Sequence, residues 1–221
     1  DGDRGGGRGG LGVNSNLFVV IAASAVFYGT PLVFAALGEV LTERSGVLNL
    51  GVEGMMLMGA VTAAYTSTRA PGPTWVVLIL CVLAAMLAGA LAAALHAVLV
   101  ITFRVNQTVS GLALTIFAGV TGLSSYLART WNVSERPVPH QFRKLDLFGL
   151  ADLPVVGPVL FGQTALTYLS WVLVAGASWY LFHTRAGLHV RAVGESPATA
   201  DAMGIDVVRT RYLHTMAGGA L

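Results

Sequence analysis

Long uncharged runs of apolar residues dominate the chain and predict membrane-spanning helices. No Asp, Glu, Lys or Arg occurs at residues 9–38, 54–68, 70–103, 105–128 or 153–184. Most of these runs exceed the roughly 20 residues with which an α-helix crosses about 30 Å of hydrocarbon. The pattern predicts segments at about 16–41, 47–66, 74–103, 105–128 and 163–183, and a sixth that begins near Tyr212 and is cut off at Leu221. We therefore predict an all-α fold, a polytopic membrane helical bundle that is C-terminally truncated.

The composition agrees with a membrane protein. Hydrophobic residues make up 55% of the chain and charged residues 11%, whereas soluble domains carry about 25% charged residues. Membrane lipid is thus the expected surroundings of residues 16–221, and the glycine-rich residues 1–15 are expected to form a flexible tail. The net charge of +2 is too small and too scattered to indicate nucleic-acid binding. Basic residues divide almost evenly between the two sides of the predicted bundle, so they do not orient it.

Residues 39–59 interrupt the second predicted segment. This stretch contains four glycines, and Asn49 and Glu53 lie one helical turn apart. Interrupted helices are how transporters build polar sites within a membrane domain. We therefore predict a translocation pathway at Asn49, Gly51, Glu53 and Gly54. For Glu53 alone, a place in the first turn of a helix, where the helix dipole favours a carboxylate, carries more weight.

The fourth predicted segment begins with polar residues. Asn106 and Ser110 fall on one helical face, and Gln107 lies between them. These three residues are candidates for the same pathway. An ordinary helix start at the membrane interface explains these residues equally well, so we keep both interpretations.

Residues 194–204 carry the clearest local signal in the chain. Ser196 suits a helix N-cap, Pro197 the first helical position and Gly204 the left-handed position after the C-cap. The spacing predicts a two-turn helix outside the membrane, suited to docking in a groove of another protein; a plain surface loop is the alternative. The residues assigned to this contact are Gly194, Glu195, Ser196, Pro197, Ala198, Ala200, Asp201 and Gly204.

The motifs of several reaction classes do not occur in the sequence. No Gly-x-x-x-x-Gly-Lys loop is present to hold a nucleotide. The five histidines lack the i, i+4 or cysteine-paired spacing of a metal site, and Ser110 lacks the motif of an intramembrane nucleophile. We therefore predict no catalytic residue, no metal site and no cofactor bound by this chain, which is not expected to be an enzyme.

Three separated motifs occur at residues 43–56 (ERSGVLNLGVEGMM), 106–114 (NQTVSGLAL) and 191–205 (RAVGESPATADAMGI). In this order they resemble the permease subunits of bacterial ABC importers, in the branch that handles ribose, branched-chain amino acids and nucleosides. The likeness covers about residues 30–221 and is greatest to nucleoside and simple-sugar permeases. Thr199 departs from the pattern, which more often has alanine there.

The resemblance implies both partners and an orientation. It implies that residues 184–211 are a cytoplasmic coupling loop, with the contact helix inserting into an ABC ATPase subunit that binds the ATP. It also implies a second permease subunit, an extracytoplasmic solute-binding protein near loop 129–162, and the bacterial cytoplasmic (inner) membrane. The expected function is import of nucleosides or simple sugars. An ion-coupled secondary carrier or channel is the alternative, but it would need more intramembrane charges than the chain offers.

Overall fold

The computed structural model is helical, as the apolar runs predict. It describes residues 9–119, 122–133, 135, 138–145, 149–150, 153 and 155–221, with side chains from residue 17 onward. Within this part, the helices are α1 (Gly9–Arg44), α2 (Val52–Arg69), α3 (Thr74–Ala97), α4 (Gln107–Ala118), α5 (Leu123–Thr130), α6 (Ala165–His183), α7 (Arg185–Glu195), α8 (Pro197–Ala202) and α9 (Val207–Ala220). Two π-helical turns lie at Val98–Thr102 and Gly157–Phe161.

Four stretches in the described part of the chain are long and apolar enough to cross a membrane. They are Leu17–Arg44, Thr74–Thr102, Gln107–Thr130 and Ala165–His183, and each coincides with a segment that the sequence predicts. The predicted second segment also forms a helix, α2, although it is not among these four. The chain is therefore a multi-pass membrane protein with an all-α bundle.

Several element boundaries differ from those predicted. Helix α1 begins at Gly9, so it includes the second half of the predicted tail, while residues 1–8 lie outside the described residues. The fourth segment is divided into α4 and α5, with Gly119 in an extended conformation at the end of α4. The interruption of the second segment falls at residues 45–51, before α2, which is itself continuous. Loop 184–211 contains helix α7, which was not predicted.

The chain divides into two compact units, of which the smaller comprises residues 1–33 and 142–172. Gln163 organises this unit although it is almost fully buried. Its Nε2 donates to backbone oxygens of Ala23, Pro158 and Val159 at 3.0–3.2 Å. Its backbone oxygen accepts a hydrogen bond from the Leu145 N–H at 2.8 Å. One side chain thus connects α1, the second π-helical turn and the chain that precedes α6.

The larger unit, residues 34–141 and 173–221, is built around α2 and α3. Helix α2 packs against α3, α4 and α5, and α3 also packs against α9. Met55, Ala93, Leu114 and Ala118 form one buried apolar cluster of this unit. Tertiary packing of apolar faces, rather than helix propensity alone, stabilises such an arrangement.

Helix α9 lies close to α1 and α3 because glycines meet along both contacts. A Cβ atom at Gly89 would overlap the backbone oxygen of Gly219, and one at Gly38 would overlap that of Gly218. Small residues let helix backbones approach closely, which is a main source of helix association in lipid. We call these four residues the glycine seam.

The glycine seam leads to a first prediction. Gly89→Ala should lower the free energy of unfolding by about 1–3 kcal/mol, because the added methyl group overlaps backbone that cannot move cheaply. Unfolding can be followed by circular dichroism in mixed micelles with increasing dodecyl sulfate.

Gly176→Ala in α6 is the matched control, since a Cβ there has no atom within 4 Å. Gly176→Ala should leave the free energy of unfolding unchanged or raise it slightly. Equal losses in both variants would contradict the close contact of α3 with α9.

Candidate functional site

Residues 45–51, which we call the break, join α1 to α2 without helical structure. Ser45, Val47 and Asn49 are buried, and Gly46 has a φ of +83°. A buried backbone that makes neither helix nor sheet bonds needs other hydrogen-bond partners. Backbone oxygens at the end of α1 accept the N–H groups of residues 45–47, and side chains of α1, α3 and α4 supply further partners.

Helix α4 supplies two of these partners. The Leu48 N–H donates to Oε1 of Gln107 at 2.7 Å, and Oγ1 of Thr115 donates to the Leu50 oxygen at 2.8 Å. The two side chains lie eight positions apart on α4. The break therefore lies along the first two turns of α4.

Helix α3 supplies His96, which is 1% exposed. Its Nε2 lies 3.1 Å from the Leu48 oxygen, and its Nδ1 lies 3.0 Å from Oγ of Ser110. His96 thus connects α3, α4 and the break through two hydrogen bonds.

Helix α1 supplies Glu39, whose Oε1 accepts the Asn49 N–H at 3.1 Å. Oε2 of Glu39 is buried and has no hydrogen-bond partner among the described residues. The side chain of Asn49 turns back on its own chain, where Oδ1 accepts the Gly51 N–H at 3.0 Å. Asn49 therefore shapes the turn that leads into α2.

The predicted pathway glycines lie at close helix contacts. A Cβ at Gly51 would lie 2.9 Å from Cδ2 of Leu114, and one at Gly54 would lie 2.9 Å from the Leu114 oxygen. Gly111 of α4 lies in a similar contact, because a Cβ there would lie 2.8 Å from the Leu50 nitrogen. These glycines allow the break and α2 to pack directly on α4.

Of the seven predicted pathway residues, the structure brings Asn49, Gly51, Gly54, Gln107 and Ser110 together around the break and the start of α2. Glu53 and Asn106 are exposed. Glu53 lies in the first turn of α2, as its alternative interpretation predicted. Asn106 is the N-cap of α4, and its Oδ1 accepts the Val109 N–H at 3.2 Å, as an ordinary helix start requires.

The predicted contact helix is present as α8. Ser196 occupies the N-cap, although its hydroxyl bonds Oγ1 of Thr199 rather than a backbone N–H. At the other end, Gly204 has a φ of +82° and donates to the Asp201 oxygen, while the Ile205 N–H donates to the Ala200 oxygen. This pair of bonds is a Schellman motif, which fixes the end of the short helix.

A groove of about 360 Å³ lies between α7 and α8. Leu188, Arg191, Met203 and Ile205 contribute to its lining, and Met203 is 78% exposed. Ala200, by contrast, is buried and joins α8 to the rest of the unit. Helices α7 and α8 therefore present an apolar surface outside the four membrane-crossing stretches.

Gly194 and Arg211 attach this surface to the break. A Cβ at Gly194 would overlap the Arg44 oxygen, and one at Gly46 would lie 3.2 Å from Cα of Gly194. Nε of Arg211 donates to the Ser45 oxygen at 3.3 Å. Burial lowers the pKa of the Arg211 guanidinium, which nevertheless stays protonated at neutral pH.

The residues that hold the break include three that sequence reasoning did not assign to it. His96 was considered, with the other four histidines, only as a metal ligand, and neither Thr115 nor Glu39 was a candidate site residue. A polar, ionisable residue inside an otherwise apolar span is by default a candidate for function. That signal could have identified His96 in the 30-residue uncharged segment.

The contacts of the break lead to a second prediction. Thr115→Val keeps the shape of the side chain but removes the donor to the Leu50 oxygen. The loss should cost about 0.5–1.5 kcal/mol of unfolding free energy, because the backbone oxygen of Leu50 loses its hydrogen bond to Thr115.

Thr66→Val is the control, since among the described residues Oγ1 of Thr66 bonds only the Thr62 oxygen of its own helix. Thr66→Val should change the free energy of unfolding far less, as measured by circular dichroism in mixed micelles with increasing dodecyl sulfate. A Thr115→Val variant as stable as the control would show that Thr115 does not support the break.

Comparison with known proteins gives a consistent result. Residues 21–221 match the family model described as "Branched-chain amino acid transport system / permease component". The guanosine ABC transporter permease protein NupQ of Bacillus subtilis is 38% identical over 208 residues, which are 90% of this chain and 63% of that protein. The nucleoside ABC transporter permease protein NupC of Lactococcus lactis is 34% identical over 212 residues, which are 93% of this chain and 65% of that protein.

A sugar permease also matches. The glucose ABC transporter permease protein TsgB13 of Haloferax volcanii is 31% identical over 198 residues, which are 86% of this chain and 51% of that protein. No solved structure matches the chain. The chain thus spans between about half and two thirds of the length of these relatives. Because the family model matches almost the whole chain, this all-α membrane protein belongs to the family of permease components of branched-chain amino acid transport systems.

Proposed function

We propose that this chain is part of the transmembrane permease subunit of an ATP-driven importer. The observation that carries the proposal is the pair α7–α8, which exposes Met203 beside an apolar groove outside the membrane-crossing stretches. A surface of this kind suits insertion into a groove of a partner protein. The partner we propose is an ABC ATPase subunit that binds and hydrolyses the ATP.

The attachment of α7–α9 to the break supports a coupling role. Gly194 contacts Arg44 and Gly46, and Arg211 donates to the Ser45 oxygen. A displacement of α8 by the ATPase would therefore act directly on the first residues of the break. The contact residues remain those predicted from the sequence: Gly194, Glu195, Ser196, Pro197, Ala198, Ala200, Asp201 and Gly204.

The break and its surroundings are the proposed moving part of the translocation pathway. Asn49, Gln107 and Ser110 contribute polar groups to this region, and interrupted helices at such places are how transporters build their sites. Glu53, in the first turn of α2, and Asn106, the N-cap of α4, are exposed and belong to the same proposed pathway. The pathway would be completed by a second permease subunit.

The solute is proposed from the relatives. Their names include guanosine, nucleoside and glucose permeases, so nucleosides or simple sugars are the candidate solutes. The protein would reside in the bacterial cytoplasmic membrane with loop 184–211 on the cytoplasmic side. An extracytoplasmic solute-binding protein would deliver the solute near residues 129–162.

The proposed transport can be tested with the full-length permease in proteoliposomes, together with its ATPase and solute-binding protein. Uptake of labelled guanosine or glucose should require ATP inside the vesicles and should stop when a non-hydrolysable analogue replaces it. Competition between the two solutes then identifies the preferred class. Uptake driven by a proton gradient without ATP would instead establish an ion-coupled carrier.

The coupling role leads to a further prediction. Gly204→Val places a β-branched residue at a φ of +82°, which is strongly disfavoured. The left-handed conformation costs a residue with a Cβ about 1–2 kcal/mol. The variant should therefore lose the end of α8, and ATP-dependent uptake should fall about tenfold.

Gly204→Asn is the matched control, because asparagine tolerates the left-handed conformation. It should keep most of the uptake while the amount of ATPase bound to the permease stays the same. If Gly204→Val transports as well as Gly204→Asn, α8 does not couple the two subunits.

A further inference from the structure

His96 is a buried polar residue of the larger unit, and the sequence motifs give it no role. It is 1% exposed, and its two ring nitrogens bond groups on two different elements. The Leu48 oxygen can only accept, so Nε2 of His96 must carry the hydrogen of that bond. Nδ1 is then free to accept the hydroxyl hydrogen of Ser110.

The surroundings of His96 favour the uncharged ring. Within the described part of the chain, its ring nitrogens bond Ser110 and Leu48, and neither partner is charged. A buried charge without a charged partner is costly. A neutral ring with its proton on Nε2 satisfies both bonds without that cost.

The position of His96 along α3 is fixed by the local helix geometry. It lies in the last turn of α3, immediately before the π-helical turn Val98–Thr102. Such turns insert an extra residue and often occur at functional sites. The π-helical turn separates the helical register of His96 from that of the residues after it.

We propose that His96 is a positioning residue for transport: by holding the Leu48 oxygen and Ser110 together, it sets the position of the break relative to α4. This inference rests on the proposed function, because it assumes that the break contributes to the solute pathway. Its consequence is that His96 controls solute affinity through Leu48 and its neighbours, although the ring itself is buried.

Two amide variants separate the two hydrogen bonds. His96→Gln places an amide near the position of Nε2 and can still donate to the Leu48 oxygen. His96→Asn places an amide near the position of Nδ1, where it reaches Ser110 but not Leu48. The two variants therefore differ mainly in the bond to the break.

Uptake by full-length permease with its ATPase and solute-binding protein should respond differently to the two variants. His96→Gln should keep the KM of uptake within about twofold of the unmodified protein, whereas His96→Asn should raise it about tenfold, as expected for the loss of one buried hydrogen bond. A purely structural role would instead lower the amount of folded protein in both variants and leave KM unchanged. Equal KM values in the two variants would overturn the proposal.

Nitrogen NMR of the histidine-labelled full-length protein provides a measurement that does not depend on transport. His96, assigned by the signals that vanish in His96→Gln, should show one protonated and one unprotonated nitrogen at neutral pH. Ser110→Ala should shift the signal of the unprotonated nitrogen, Nδ1, which accepts the hydrogen bond from Ser110. Two protonated nitrogens would overturn the assigned geometry. If the NMR result holds but no ATP-dependent uptake occurs, the proposed function fails and the geometry of His96 stands.

Discussion

The need to hydrogen-bond a buried, non-helical backbone governs the larger unit. Residues 45–51 leave the helix of α1, yet Ser45 and Asn49 are buried, and unpaired polar groups there would each cost free energy. The structure meets this need with Glu39 of α1, His96 of α3, and Gln107 and Thr115 of α4. The break is therefore a defined structural element whose shape depends on three helices at once.

Residues on either side of α8 also contact the break. Its first residues contact Gly194 and Arg211, which flank α8, while Leu48 and Leu50 bond α3 and α4. The residues on either side of α8 therefore contact the first residues of the break directly, through one glycine contact and one hydrogen bond. This short connection makes a coupling role for α8 mechanically simple. The glycine seam then joins α9 to α1 and α3, so that the helix after α8 belongs to the same packed unit.

Local signals predicted more of the structure than long-range ones. The ends of α8 follow from Ser196, Pro197 and Gly204, because caps depend on neighbouring residues, and the apolar spans follow from length and hydropathy alone. Helix α7 was missed although it carries a local signal at its start, where Oγ1 of Thr184 accepts the Gly187 N–H at 3.0 Å. The partners of His96 and Thr115 were missed because they come from other elements, and the sequence gives the residue but not what it faces.

Glycine frequency alone could not separate packing from a pathway. Gly51 and Gly54 were predicted as parts of a translocation pathway, but each fills a place where a Cβ would press on α4. The exposed carboxylate of Glu53 requires a different explanation. A charge is costly among acyl chains, and α2 is not one of the four strongly apolar helices in the described chain. The exposed face of α2 near Glu53 should therefore meet water, headgroups or a partner subunit rather than lipid tails.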